Sequence, residues 1–234
     1  VNVPFLIIDT ETNGLMDYKR PADAEGQPRV AEFAGILVTD NGDVELEFQR
    51  YIKPPMTDGG PAWVMTEETT KVNGITNEML WNQGVPISEV LNWYQAHIIA
   101  GRTVVAFGAQ YDCKMMRSEL RRADRDDLFE HTPNICLMRE CRTWAKSIGR
   151  DIVKAGGSQK GWPKLTDLAT FCGVPFDHGE LHGALADARL KAACFNYMLD
   201  NGFEAVGRVH HAKDYEAIKN NRSLPNAAEM GDDR

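Results

Sequence analysis

The stretch from Phe5 to Gly14 (FLIIDTETNG) constrains this chain more than any other. An apolar, β-branched run passes without a break into two carboxylates one residue apart and then into a turn. Successive side chains of a strand point to opposite faces, so Asp9 and Glu11 share a face, about 7 Å apart at the backbone. Two like charges on one face at the end of a buried strand repel each other unless something positive sits between them. A divalent cation held by oxygen ligands is the usual answer. A strand that merely ends in polar residues is the plainer alternative, and the rest of the chain has to separate the two.

The elements around that strand can be read in order. Residues 15–29 carry Pro21, Gly26 and Pro28 and form a loop, long for a connection between neighbouring strands. Residues 30–39 (VAEFAGILVT) are a second strand, Asn41-Gly42 is a hairpin signal, and residues 44–52 are a third strand. Gly74 suggests a tight turn and Thr76 a helix N-cap. A helix is expected over 86–100, closed by Gly101, with Val90, Leu91, Tyr94 and Ile98 on one side. A short strand follows over 103–107, then a helix from Asp112 to about Arg122. Residues 135–148 keep helical spacing, Gly149–Pro163 is a Gly- and Lys-rich loop, and 165–172 is a short helix capped by Gly173. The clearest helix is 184–199, with Leu185, Ala188, Ala192, Phe195 and Leu199 in one stripe. A further helical stretch is expected over 214–220, and the polar tail from 221 frays. Strands first, then helices with one interleaved strand, make an α/β or α+β layered domain with a mixed sheet.

Composition narrows the partners. The chain has 234 residues, 43% hydrophobic, and a net charge of −8. That balance argues against coating nucleic acid by bulk electrostatics. It leaves room for an enzyme that meets nucleic acid through bound cations, which reverse the local field. No apolar run reaches the ~20 residues that span a bilayer, no charged-then-apolar leader opens the chain, and no membrane partner is expected. Five scattered cysteines without a C-x-x-C pair suit reduced thiols and a cytoplasmic setting.

Two further clusters join Asp9 and Glu11. Asp112 follows the 103–107 strand and reaches the same sheet rim if the two strands are parallel neighbours; alone, it reads as a helix N-cap. The other cluster is His182-Gly183-Ala184-Leu185-Ala186-Asp187. On one continuous helix His182 and Asp187 would lie about 140° apart and could not converge. If the helix starts near Gly183, which permits a bend, His182 sits on the preceding loop and can approach from another direction. Taken singly, Asp187 is an acidic residue favoured near a helix N-terminus, and His182 an exposed histidine.

Together and in this order, the segments resemble the DnaQ-like superfamily of 3′–5′ exonucleases, in its histidine-containing DEDDh branch. Asp9 to Leu15 matches the first motif, Val72-Asn73-Gly74-Ile75-Thr76 a loop beside the terminal nucleotide, Val105 to Asp112 the second motif, and His182 to Ala188 the third. Gly183, four residues before Asp187, disfavours the sister branch that has tyrosine there. Asn73 stands where the family commonly has His, and Phe107-Gly108 where it commonly has His-Asn.

The resemblance implies a ribonuclease H-like three-layer α/β fold, with a central mixed sheet of three antiparallel opening strands plus parallel strands, flanked by helices. The exonuclease domain would span 1–202, with a C-terminal helical extension and polar tail over 203–234. It implies that Asp9, Glu11, Asp112 and Asp187 hold two Mg²⁺ or Mn²⁺ ions, and that His182 takes a proton from the attacking water. Thr10, Thr12, Leu15, Asn73, Ile75, Phe107 and Tyr111 would line the substrate, with Leu15 and Ile75 packing on the base and Phe107 and Tyr111 as stacking candidates. Lys114, Arg117, Arg121 and Arg122, and in the second loop Arg150, Lys154, Lys160 and Lys164, are candidates for tracking phosphates. The expected reaction releases nucleoside 5′-monophosphates from 3′ ends of DNA, preferably single-stranded, with a polymerase or other replication or repair protein as a partner. RNA ends or short oligonucleotides are the alternative substrate, and an inactive nucleic-acid-binding copy of the fold is the alternative of another class.

Overall fold

The computed structural model describes residues 4–128, 131–152, 162–179 and 181–209. Its frame is a five-stranded sheet built from β1 (Phe5–Thr12), β2 (Val30–Val38), β3 (Val44–Tyr51), β6 (Thr103–Ala106) and β7 (Asn134–Cys136). A two-stranded ribbon of β4 (Met56–Thr57) and β5 (Gly60–Pro61) stands apart. The order across the main sheet is β3-β2-β1-β6-β7. β1 pairs antiparallel with β2, and β2 with β3, whereas β1–β6 and β6–β7 are parallel. β1 is therefore the junction between the antiparallel and parallel halves. β2 is buried along its whole length, which explains its almost unbroken apolar run.

Helices cover both faces. One core joins Leu6, Ile8 and Val104 to Val90, Leu91 and Tyr94 of α3 (Ile87–Ile99) and to Met115, Met116 and Leu120 of α4 (Ala109–Arg122). Two short helices, α1 (Glu67–Asn73) and α2 (Asn77–Gln83), lie between β5 and α3 in sequence, and Leu80 of α2 is in the same core. The opposite core joins Phe5, Ile7 and Val105 to α5 (Leu137–Ser147), α6 (Leu165–Cys172) and α7 (Ala184–Asp200). The result is the three-layer α/β/α arrangement expected of the ribonuclease H-like fold. The alternation along β1 decides which layer each of its residues meets: Ile7 faces α7, so Asp9 and Glu11 do too, while Thr10 faces α4.

Most local expectations hold. Thr76 caps α2 by accepting from the Met79 amide, and Gly74 and Gly173 close their helices in the left-handed region. Two do not. Residues 135 and 136 belong to β7, and the helix begins only at Leu137. Three residues on the parallel edge are too short a strand to show a period of their own. Asp112 is not an N-cap, because α4 starts three residues earlier behind Gly108.

The chain remains attached to the sheet beyond residue 202, where Asn134 and Arg208 exchange backbone hydrogen bonds. The helix expected over 214–220, the tail, Lys154 and Lys160 fall outside the described residues. Among the described residues no helix is long and apolar enough to cross a membrane.

Candidate active site

The site forms where β1 leaves the sheet and α7 begins. Asp9, Glu11 and Asp187 each offer a carboxylate oxygen, and these atoms lie within 4.8 Å of one another. Asp9 and Glu11 arrive on the same face of β1, and Asp187 comes from the first turn of α7, packed on that face. Oδ1 of Asp187 is buried without a hydrogen-bond partner. A buried, orphaned carboxylate oxygen on a residue that meets two other carboxylates leaves an interaction unsatisfied that a hard cation would complete.

The electrostatics show the strain of that convergence. Burial, then the charges of Asp9, Asp187 and Glu32, push Glu11 up to about 9, against a hydrogen bond from Asn73 that favours its charged form. Asp187 is also raised, first by burial and then by Asp9, while Lys191 and the His182 backbone amide oppose the rise. Such shifts arise where carboxylates are buried together without enough positive charge, and they mark functional sites more often than chance.

Asp112 approaches from the other layer and does not join the three. Its Oδ1 accepts from the Thr10 amide at 3.0 Å and the Thr10 hydroxyl at 2.8 Å. It is buried, and burial above all pushes it up to about 6, with Lys191 pulling the other way. Thr10 is thus a clamp on Asp112 and is itself buried. The two strand ends do lie side by side, as parallel β1 and β6 require, but Asp112 reaches the rim one step away from the cluster.

His182 is exposed at the mouth of the site. The unusual backbone there belongs to His182 itself, with φ of 71°, and not to Gly183, whose φ of −116° and ψ of 132° are ordinary extended values. The bend that separates His182 from α7 is therefore held by a non-glycine residue in a region that L residues rarely adopt. The other expected substrate residues divide. Leu15 is 93% exposed, but Ile75 is 1% exposed within the core and, so placed, presents no surface to a base. Tyr111 shares a 2.7 Å hydrogen bond with the Thr12 hydroxyl, which also donates to the Gly14 carbonyl, so the pair ties down the turn after β1. Asn73 donates to the Thr12 carbonyl at 3.3 Å and accepts from the Ile75 amide. Phe107 is wedged between the two cores.

Two residues at the site were not anticipated from the sequence. Glu32 is directly opposite Glu11 in the β1–β2 register; it accepts from the Ala184 amide at 3.0 Å and from Gln49 at 2.7 Å. It supplies the N-cap that Gly183 cannot, and a lone acid inside a nine-residue apolar strand was its signal. Lys191 is 3% exposed and donates to the Ile8 carbonyl at 3.0 Å and to Asp9 Oδ1. Burial is the strongest single influence on its ammonium and works against the charge, but Asp9, Asp112 and Asp187 together hold it above the usual lysine range. Its signal was a lysine one turn after Asp187, beside an apolar stripe.

The candidate phosphate-tracking residues of α4 are engaged elsewhere. Arg117 and Arg121 pair with Asp127, Arg122 pairs with Glu119, and Lys114 sits over the Tyr18 ring. Arg150 packs over the Phe171 ring.

A mixed α/β/α sheet of this order, with acidic side chains gathered where its antiparallel and parallel halves meet, defines a ribonuclease H-like domain with a candidate divalent-cation site. Within that class the chain belongs to the exonuclease family, whose RNase_T model matches residues 6–195, in the DnaQ-like 3′–5′ superfamily. No curated protein sequence matches it. Among solved structures, E. coli exonuclease I in complex with a dA16 oligonucleotide is 18% identical with a TM-score of 0.65, over 84% of this chain and 42% of that one. Exonuclease I from Methylocaldum szegediense is 20% identical with a TM-score of 0.63, over 84% of this chain and 40% of the other. A 3′-exonuclease described for 3′-end recognition of the histone mRNA stem-loop is 19% identical with a TM-score of 0.64, over 89% and 68%. The chain thus spans less than half the length of the exonuclease I chains it matches.

Proposed function

We propose that this chain is a metal-dependent 3′–5′ exonuclease that removes nucleoside 5′-monophosphates from the 3′ ends of single-stranded DNA. The observation that carries the reading is the meeting of Asp9, Glu11 and Asp187, one of whose carboxylate oxygens, Oδ1 of Asp187, is buried without a hydrogen-bond partner. Two Mg²⁺ or Mn²⁺ ions held there would supply charge neutralisation for the scissile phosphate and a water of lowered pKa. Asp9, Glu11 and Asp187 would be direct oxygen donors, with Asp112, held at the rim by its hydrogen bonds from Thr10, as the fourth carboxylate of the site. His182, exposed and outside α7, would take the proton of the attacking water as a general base. The exposed Leu15 side chain and the Thr12–Tyr111 pair border the place where a terminal nucleotide would lie. The oligonucleotide complex of exonuclease I favours DNA. The likeness to the histone-mRNA 3′-exonuclease favours RNA ends as a second reading. The free cysteines are all buried and fit a cytoplasmic enzyme; a polymerase or repair protein could deliver the 3′ end.

The test uses 5′-labelled single-stranded DNA, duplex DNA and RNA with Mg²⁺, and wild type beside Asp9→Ala and His182→Ala. A ladder descending from the 3′ end is expected, fastest on single-stranded DNA, absent in Asp9→Ala and slowed by about a hundredfold or more in His182→Ala. Immediate release of a labelled mononucleotide would reverse the polarity and sink the proposal. A faster ladder on RNA would move the substrate to the second reading.

A further inference from the structure

α7 sends a lysine into the acidic cluster from beneath. Lys191 follows Asp187 by four residues, so both side chains leave the same helix face. Its ammonium is enclosed, with the Ile8 carbonyl and Asp9 Oδ1 as partners and Asp112 and Asp187 as charged neighbours. The helix does not need it for packing, because Ala188, Ala192 and Phe195 already anchor α7 to the sheet. Nor is it a surface lysine whose stem covers an apolar patch, because the residue is 3% exposed and its charged end is hydrogen-bonded to the Ile8 carbonyl and Asp9. Burying an ammonium is costly unless specific charges compensate it, so its position beside Asp9 reflects those carboxylates. One oxygen of Asp9 is therefore engaged by a cation of the protein's own before any metal arrives.

We propose that Lys191 is a built-in counterion of the acidic site: a positioning residue that holds Asp9 in its ligating pose in the metal-free protein and competes with divalent cations for it. This inference rests on the metal-dependent reading of the cluster. The consequence is a site that is formed in advance but binds free cation weakly, so that the phosphates of the substrate contribute to metal capture. Lys191 is hydrogen-bonded to Asp9 and has Asp112 and Asp187 as its further acidic neighbours. Removing the one ammonium among them should make the empty site less stable and the filled site tighter.

The experiment measures Mn²⁺ binding calorimetrically and the unfolding temperature with and without Mn²⁺, for wild type, Lys191→Met and Lys191→Gln. Both variants should bind Mn²⁺ at least about tenfold tighter, the direction and scale expected when a like charge leaves a partly shielded site. Both should unfold at lower temperature without metal and gain more from it than wild type does. The Gln variant can still donate to the Ile8 carbonyl, so agreement between the two assigns the effect to charge. A lysine with a merely structural role would weaken metal binding when replaced. Folded variants with equal or weaker affinity therefore overturn the counterion. If neither variant folds without metal, recovery of helical circular dichroism in Mn²⁺ supports the proposal, and failure to recover overturns it. If wild type and folded variants alike bind no Mn²⁺, the metal reading itself fails, an outcome distinct from a wild type that binds and variants that bind no tighter.

Discussion

Glu11 concentrates the chemistry at the scale of a residue. Its carboxyl lies between Asp9, Asp187 and Glu32, and burial followed by those charges lifts it to about 9. In the metal-free protein it therefore holds a proton at neutral pH. A group whose folded value is raised contributes stability that is fully present below its unfolded value and is lost as pH rises through the folded one. Metal-free wild type should thus lose stability steadily between about pH 4.5 and about pH 9. Glu11→Gln, neutral throughout, should flatten that slope in thermal melts taken in EDTA. The same proton must leave when a cation is bound, so Mn²⁺ binding to wild type at pH 7 should release a proton, read from calorimetry in buffers of different ionisation enthalpy. Glu11→Gln should release less and bind about ten- to a hundredfold more weakly. Equal proton release from both proteins would mean that Glu11 does not face the cation.

At the scale of elements, the site is an agreement between β1, β2 and α7. Glu32 of β2 caps α7 through the Ala184 amide and so fixes the turn that carries Asp187 and follows His182. Glu32→Ala should cost about 1–2 kcal/mol in urea unfolding, as loss of a helix cap does, and should lower turnover more than substrate affinity. Glu32→Gln keeps an acceptor for the Ala184 amide and should recover most of both. Equal damage from the two would assign Glu32's role to its charge. The same elements show what could be read from the chain alone. Alternation places Asp9 and Glu11 on one face, and the parallel pairing of β1 and β6 brings Asp112 to their rim. Both follow from local periodicity and a single topological rule. Glu32 and Lys191 escaped because each works across elements that touch only after folding. Helix spacing relates Lys191 to Asp187 but is silent about Asp9, about 180 positions away. Asp112 read as a cap because carboxylates usually are caps at strand-to-helix turns. Only the fold shows that the turn closes at Gly108 and frees Asp112 to accept from Thr10.

At the scale of the whole molecule the puzzle is a net charge of −8 on a protein proposed to bind a polyanion. Ion pairs already engage many of its arginines: Arg29 and Arg122 with Glu119, Arg117 and Arg121 with Asp127, Arg50 with Glu89, Arg189 with Glu47 and Arg208 with Glu140. Glu119 is 1% exposed, and its pair with Arg29 fastens the end of the 15–29 loop to α4. Charges committed in this way hold the fold and offer little to a phosphate backbone. With these arginines committed, a cation held at the acidic site is expected to be the main bridge to the phosphates. Binding of a single-stranded oligonucleotide, measured by fluorescence anisotropy with Ca²⁺ in place of Mg²⁺, should vanish in EDTA. Its logarithmic dependence on NaCl should be shallow, with a slope near −2 and so about three phosphate contacts at roughly 0.7 per contact for a single strand. A slope steeper than about −5 would demand seven or more contacts, and basic side chains would then carry the binding in place of the cation. Binding that survives EDTA would remove the cation from its role as the bridge, and the acidic site would have to act on a strand held elsewhere.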